Sequence, residues 1–176
     1  MPGGVSAAFT PVTLGPLTLR NRFIKSATNE GGAPGGRPSA ALKRHHVRMA
    51  EGGVGMTTIA YFAVSPDGKT FVDQLEMDPK WALEVRAITD AVHKAGAAIS
   101  AQITHGGCFT FLPALTTEKP LSASGGFNKV GVMNGRFFKQ QMNADDMRAR
   151  IAEFVRAAQM ARECGFDAVE IHKGHG

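Results

Sequence analysis

The sequence has few of the features that would assign it to a specialised class of protein. Its two cysteines, Cys108 and Cys164, lie far apart and outside any metal-type spacing. We interpret them as reduced thiols of a cytosolic protein. No apolar run approaches the roughly 18 residues of a membrane span, and the opening MPGGVSAAFTPVTLG lacks the basic and apolar regions of a signal peptide. The sequence therefore predicts a cytoplasmic protein with no membrane partner.

The charge distribution lacks the dense basic stripe of a nucleic-acid-binding protein. The chain has 20 Lys and Arg against 15 Asp and Glu, a net charge of +5, but its basic residues are scattered. A hydrophobic content of 43% in 176 residues is ordinary for a globular domain with a real core. We expect a small-molecule substrate and no nucleic-acid partner.

Three segments have the apolar spacing and the capping residues of α-helices. The first covers about 39–51, the second starts at Asp78-Pro79 and ends at Gly96, and the third starts at Asn143 and ends at Gly165. The expected apolar face of the third helix consists of Met147, Ile151, Phe154, Val155 and Ala158.

Four short apolar runs alternate with these helices and predict strands. They are RFIKSAT (22–28), GMTTIAYF (55–62), AAISAQI (97–103) and DAVEI (167–171). Such alternation is typical of parallel strands joined by right-handed crossovers. The lead-in VTLGPLTLRNR contains two short extended pieces around Gly15-Pro16 and predicts a hairpin.

Both an open doubly wound sheet and a (β/α)₈ TIM barrel fit this order of elements. An open sheet would normally carry a G-x-G-x-x-G fingerprint after its first strand, whereas this chain has SATNEGGAPGG. We therefore favour the barrel. A whole barrel needs about 250 residues, so we expect residues 1–176 to form the N-terminal half of a single barrel domain, with strands one to four, helices one to three and a long loop at about 105–142. Ile24, Ile59, Ile103 and Ile171 are candidates for its inner face.

Polar side chains follow each predicted strand, where the active sites of barrels lie. No serine or cysteine occupies a nucleophile elbow. Uncharged hydrogen-bonding groups around a flat pocket suit a planar ring such as a flavin or a nicotinamide. His172 and His175 could together bind a metal ion, but a third ligand is not evident, and we expect none. His105, taken alone, is more often structural than catalytic.

Four segments together resemble the old yellow enzyme family of FMN-dependent oxidoreductases. They are LTLRNRFIKSATNEGG, AEGGVGMTTIAYFAVSPDGK, AAISAQITHGG and AAQMARECGFDAVEIHKGHG. The resemblance runs from about Phe9 to the last residue, interrupted by the long loop. Each piece is weak alone, but the ordered set is specific.

The resemblance implies that NAD(P)H reduces a bound FMN and that hydride then passes to the β-carbon of an activated alkene of the enone type. His172 and His175 match the pair that binds the substrate's carbonyl oxygen, where imidazole donors stabilise the developing charge. The matched cofactor-binding residues are Ser26, Ala27, Thr28, Asn29, Ala60, Tyr61 and Gln102.

Several departures from the family pattern fall at positions that bear on the substrate and on the flavin potential. Ala27 stands where proline is common, and Cys108 replaces the arginine of an H-x-G-R segment. The presumed proton-donating tyrosine would follow Gly176, and the phosphate-binding loops belong to later strands. We therefore expect the 176-residue chain alone to be inactive, and to be loosely folded, dimerised through its open sheet edges, or both. The alternative is a non-catalytic remnant that binds no flavin.

Overall fold

The computed structural model describes residues 6–174. Its helices are α1 (Ala40–Glu51), α2 (Ala82–Lys94) and α3 (Ala144–Glu163). Its strands are β1 (Val12–Leu14), β2 (Leu17–Leu19), β3 (Ile24–Lys25), β4 (Met56–Ala63), β5 (Ala98–Thr104), β6 (Leu121–Ser122), β7 (Gly126–Phe127), β8 (Phe138–Gln141) and β9 (Ala168–Ile171). Short 3₁₀ turns occur in several connections.

The main sheet consists of four parallel strands in the order β3-β4-β5-β9. A helix connects each strand to the next, which confirms the predicted alternation. The β1 and β2 strands form the predicted antiparallel hairpin before the sheet. Fully buried side chains of the sheet and helices, including Phe62, Ile99 and Val85, form the core between the two layers.

The helices begin where their capping residues predict. The Ser39 side chain accepts a hydrogen bond from the Leu42 amide, and Asn143 forms a reciprocal capping box with Asp146 at the start of α3. Before α2, Asp78 caps a single 3₁₀ turn rather than the α-helix itself.

The second and third helices end at the predicted glycines. Gly96 and Gly165 have φ values of 82° and 86°, a left-handed conformation that side chains with a Cβ rarely adopt.

The first parallel strand is much shorter than predicted. Only Ile24 and Lys25 pair with β4, and the chain touches β4 again through one isolated bridge between Asn29 and Ala60. The register of β4 shifts between Ile59 and Phe62, so regular pairing does not extend along its whole length.

The buried face of α3 differs from the expected one. Glu153, Ala157 and Ala161 are buried, whereas Ile151 and Val155 are 64% and 50% exposed. Because α3 and β9 lie at the edge of the sheet, nothing in the described chain covers the outer half of the helix's apolar stripe.

This uncovered stripe and the neighbouring strands form an apolar channel, here called the α3 groove. Its apolar walls are Ile103, Met142, Met147, Ile151, Phe154, Val155, Ala158, Val169 and Ile171. The expectation that Ile103 and Ile171 face the barrel interior was therefore wrong, because both lie on the helix side of the sheet.

The long loop contains more secondary structure than its sequence indicates. Three short strands form a small sheet in the order β6-β8-β7. Asn128 is 2% exposed and donates a hydrogen bond to the Cys108 carbonyl at 3.1 Å, which ties this sheet to the 3₁₀ turn that follows β5. Across residues 6–174, no helix is long and apolar enough to cross a membrane.

Candidate active site

The carboxyl ends of β5 and β9 bring two predicted site residues together. In the parallel register Gln102 pairs with Glu170, and the Gln102 Nε2 donates a hydrogen bond to Glu170 Oε1. Side chains alternate between the faces of a strand, so the side chain two residues after Glu170 starts from the same face. That residue is His172, whose amide donates to the Ile103 carbonyl at 3.0 Å and continues the pairing beyond β9.

An aromatic pair connects this edge to β4. The rings of Tyr61 and His172 stack with centroids 5.7 Å apart and planes 19° from parallel. Phe71 meets the Tyr61 ring edge-on at 6.2 Å. The structure thus places Tyr61, Gln102 and His172 at the same end of three adjacent strands. His175 lies outside the described residues.

Of the predicted cofactor-binding residues that follow β3, only Asn29 pairs with β4 at this end of the sheet. Asn29 bridges to Ala60, and its Oδ1 accepts a hydrogen bond from the Gly31 amide at 3.1 Å. Ser26 is exposed, Ala27 is partly buried, and Thr28 borders a separate cavity beneath α1. Their roles at a flavin stay predictions.

Glu30 is a charged residue that sequence reasoning missed. Its side chain is 8% exposed and pairs with the Lys25 ammonium. Its Oε2 also accepts a hydrogen bond at 3.3 Å from the Ala60 amide, the group that the family resemblance directs at the flavin. No local motif marks Glu30, because it acts across two strands.

A buried polar cluster ties α3 to the ends of β4 and β5. Arg150 donates to Asp67 at 3.0 Å, to His105 Nε2 at 2.9 Å and to Glu153 at 2.9 Å. Ser65 donates to the second oxygen of Glu153 at 3.1 Å. These contacts give His105 a structural role within the described chain.

The cluster shifts the acidity of its members in different directions. Burial and the adjacent Arg150 charge lower the pKa of His105 to about 4. Burial acts to raise the pKa of Asp67, but hydrogen bonding from Ser65 and the charge of Arg150 lower it overall. Burial raises the pKa of Glu153 above its ordinary value.

A second polar cluster lies where α1 packs on the sheet. Glu30, His45 and His46 each offer one potential ligand atom, and these atoms lie within 4.8 Å of one another. Burial and the nearby Lys25 charge lower the pKa of His46 to about 3. Sequence reasoning considered only the histidines near residue 172 and did not find this cluster.

The chain is similar to known flavin enzymes over nearly its whole length. The model of the NADH:flavin oxidoreductase / NADH oxidase family matches residues 7–176. The 4,4'-dithiodibutanoate disulfide reductase of Rhodococcus erythropolis is 41% identical over 95% of this chain and 40% of its own length. The NADPH dehydrogenase of Bacillus subtilis is 28% identical over 96% of this chain and 48% of its own length. The chain thus spans less than half the length of these relatives.

Solved structures show the same fold. Morphinone reductase in complex with tetrahydroNAD superposes with a TM-score of 0.82 at 22% identity, over 94% of this chain and 49% of that one. The Old Yellow Enzyme from Pichia sp. AKU4542 gives a TM-score of 0.83 at 20% identity, over 97% of this chain and 46% of that one. These matches confirm the predicted half of a (β/α)₈ barrel and the resemblance to old yellow enzymes. The chain belongs to the NADH:flavin oxidoreductase / NADH oxidase family.

Proposed function

We propose that this chain provides one side of the FMN site and the substrate-carbonyl contact of an NAD(P)H-dependent oxidoreductase. The observation that carries the proposal is the convergence of Tyr61, Gln102 and His172 at the carboxyl ends of three parallel strands. In barrel enzymes the active site lies at this end of the strands.

The chemistry of the side chains fits one edge and one face of a flavin ring. The Gln102 amide offers a donor and an acceptor in one plane, and Glu170 holds its orientation. Ser26, Ala27, Thr28 and Asn29 after β3 and Ala60 and Tyr61 on β4 complete the set that would hold FMN. When bound, FMN supplies the hydride chemistry, and these residues supply binding and orientation.

His172 is the proposed contact to the substrate. Its imidazole can donate a hydrogen bond to a carbonyl oxygen, which stabilises the negative charge that develops there as hydride arrives at the β-carbon. Stacking on Tyr61 restricts the rotation of the His172 ring and so keeps its nitrogens aimed at one place. His175 is proposed as the second donor.

The primary acceptor we propose is an activated alkene of the enone type, which takes hydride at the β-carbon and a proton at the α-carbon. An organic disulfide is the second candidate, because the relative that is 41% identical is a disulfide reductase. That reaction delivers two electrons and two protons to the S–S bond and releases two thiols.

A chimera can test both acceptors in a protein of the relatives' length. This chain would replace the matching N-terminal part of the Rhodococcus erythropolis disulfide reductase, which is 41% identical to it. We expect a yellow protein that oxidises NADPH or NADH only when cyclohexenone or 4,4'-dithiodibutanoate is added. A folded chimera without bound FMN would contradict the proposal, and the faster acceptor decides between the two substrate classes.

The 176-residue chain alone provides a second test. The α3 groove leaves apolar surface such as Ile151 in water, which destabilises the folded chain by about 25 cal/mol per Å² of that surface. Because the fold is weakened in this way, we expect no acceptor-dependent turnover from the isolated chain. This exposure also favours the alternative that the chain by itself binds no flavin. Stoichiometric FMN binding with turnover by residues 1–176 would contradict this expectation.

A further inference from the structure

A cluster of metal-ligating side chains lies beneath α1, outside the proposed flavin residues. His45 and His46 are consecutive residues of α1, and Glu30 lies in the connection that follows β3. The Nε2 atoms of both histidines are buried, and neither has a hydrogen-bond partner in the described chain. His46 is completely buried. Buried polar atoms are nearly always hydrogen-bonded or bound to a ligand, so two such nitrogens grouped with a carboxylate indicate a ligand-binding site.

The orientation of His46 supports an ion rather than a direct contact. Its Nδ1 lies 2.7 Å from the Thr57 hydroxyl, which leaves Nε2 to point toward Glu30. The distance from Nε2 to Glu30 Oε1 is 3.7 Å, too long for a hydrogen bond. Two ligands on a tetrahedral zinc ion, each about 2.0–2.1 Å from the metal, lie roughly 3.4 Å apart. The observed separation is close to that value.

We propose that Glu30, His45 and His46 bind a Zn²⁺ ion. Two imidazoles and one carboxylate form a ligand set common in zinc proteins, with the fourth position left to water. A cavity of about 440 Å³, bordered by Glu30 and His45, provides an entry path and room for that water. Thr57 has the role of an outer partner that fixes the orientation of the His46 ring.

The Lys25 ammonium competes with this ion for the Glu30 carboxylate. Its ammonium pairs with Glu30 Oε1 and donates to the Thr58 carbonyl at 3.1 Å. Binding of Zn²⁺ must displace the ammonium from Glu30, and Lys25 borders the same cavity into which it can turn. Lys25 therefore weakens the site, and its replacement by an uncharged residue should strengthen ion binding.

None of the three ligands belongs to the proposed flavin set, although Glu30 accepts a hydrogen bond from the Ala60 amide of that set. The metal site is therefore tested in the absence of FMN, so that its result does not depend on flavin binding.

The test is a titration of the EDTA-stripped chain with Co²⁺, whose visible absorption reports four-coordinate nitrogen and oxygen ligation, followed by displacement with Zn²⁺. We expect one Co²⁺ per chain. His45→Gln and Glu30→Gln should each weaken binding by at least about tenfold, since even outer-partner losses reach that size. Lys25→Met should tighten binding. His93→Gln, which changes an exposed histidine of α2 that pairs with Asp167, should have no effect.

Three results would overturn the proposal. They are the absence of Co²⁺ absorption in a chain whose circular dichroism is folded, equal affinity in the parent chain, His45→Gln and Glu30→Gln, and weaker binding in Lys25→Met. Because His46 is completely buried and its replacement could unfold the chain, the decisive variants are at His45, which is partly exposed, and at Glu30.

Discussion

Acid should destabilise this protein through His105, as the pH falls from 6.5 toward 4. The imidazole is held beside the Arg150 guanidinium, with 2.9 Å between His105 Nε2 and Arg150 Nη1. A guanidinium can only donate, so Nε2 accepts and has no room for a proton. The pKa is accordingly lowered from 6.5 to about 4 in the folded chain.

The sign and size of the effect follow from linkage. Well above pH 6.5 neither the folded nor the unfolded state binds the proton, and the contribution of His105 to stability is fully present. As the pH falls toward 4, the unfolded chain takes up a proton that the folded chain excludes, so stability is lost across this window. At about 1.4 kcal/mol per pKa unit, the loss is about 2 kcal/mol at pH 5 and roughly 3 kcal/mol once both states are protonated. A whole domain has only about 5–15 kcal/mol.

Urea unfolding followed by circular dichroism at pH 7 and pH 5 measures this loss. His105→Gln should lose about 2 kcal/mol less than the parent chain between these pH values, because glutamine can accept from Arg150 but does not titrate. His46 contributes an acid loss of its own in both proteins. Equal pH dependence in the parent and His105→Gln would refute the reasoning.

Three further predictions concern the capping of α3, the core and the α3 groove. Asn143→Ala removes the capping box and should lower the free energy of unfolding by about 1 kcal/mol in urea titrations; no change would contradict the role of the cap. Phe62→Ala should lower it by about 3–5 kcal/mol, since this ring is completely buried, and a loss below 1 kcal/mol would show that the core there is not formed. In sedimentation velocity the parent chain should self-associate through the exposed α3 groove, and Ile151→Lys should self-associate less. A strictly monomeric parent chain would contradict the claim that this groove is uncovered.

Features of the fold that depend on local chemistry could be predicted from the sequence. Helix starts at Ser39 and Asn143 follow from side chains that bond amides two or three residues away. The parallel sheet follows from the alternation of apolar runs and helices. The grouping of Tyr61, Gln102 and His172 follows from their common position at strand ends.

Features that depend on the surroundings of an element could not be predicted in this way. The spacing of apolar residues on α3 does not tell which part of the stripe a neighbour covers, so Ile151 was assigned to a buried face that the edge position leaves exposed. Strands of two to four residues, such as β7, are too short for a periodicity to appear. Glu30 lies in the connection after β3 and His46 lies in α1, and only the folded chain brings their ligand atoms together. No sequence motif indicates this proximity.

The central claim is that these strand ends bind FMN while His172 contacts the substrate. In the chimera, the dissociation constants of FMN and of a phenol that mimics the enone carbonyl can be measured for the parent, Gln102→Leu and His172→Ala. The account predicts that Gln102→Leu weakens FMN binding. It also predicts that His172→Ala keeps FMN and weakens phenol binding by about 1–3 kcal/mol, the cost of leaving a buried partner unpaired. Loss of FMN in His172→Ala with phenol affinity intact, or unchanged FMN affinity in Gln102→Leu, would contradict it.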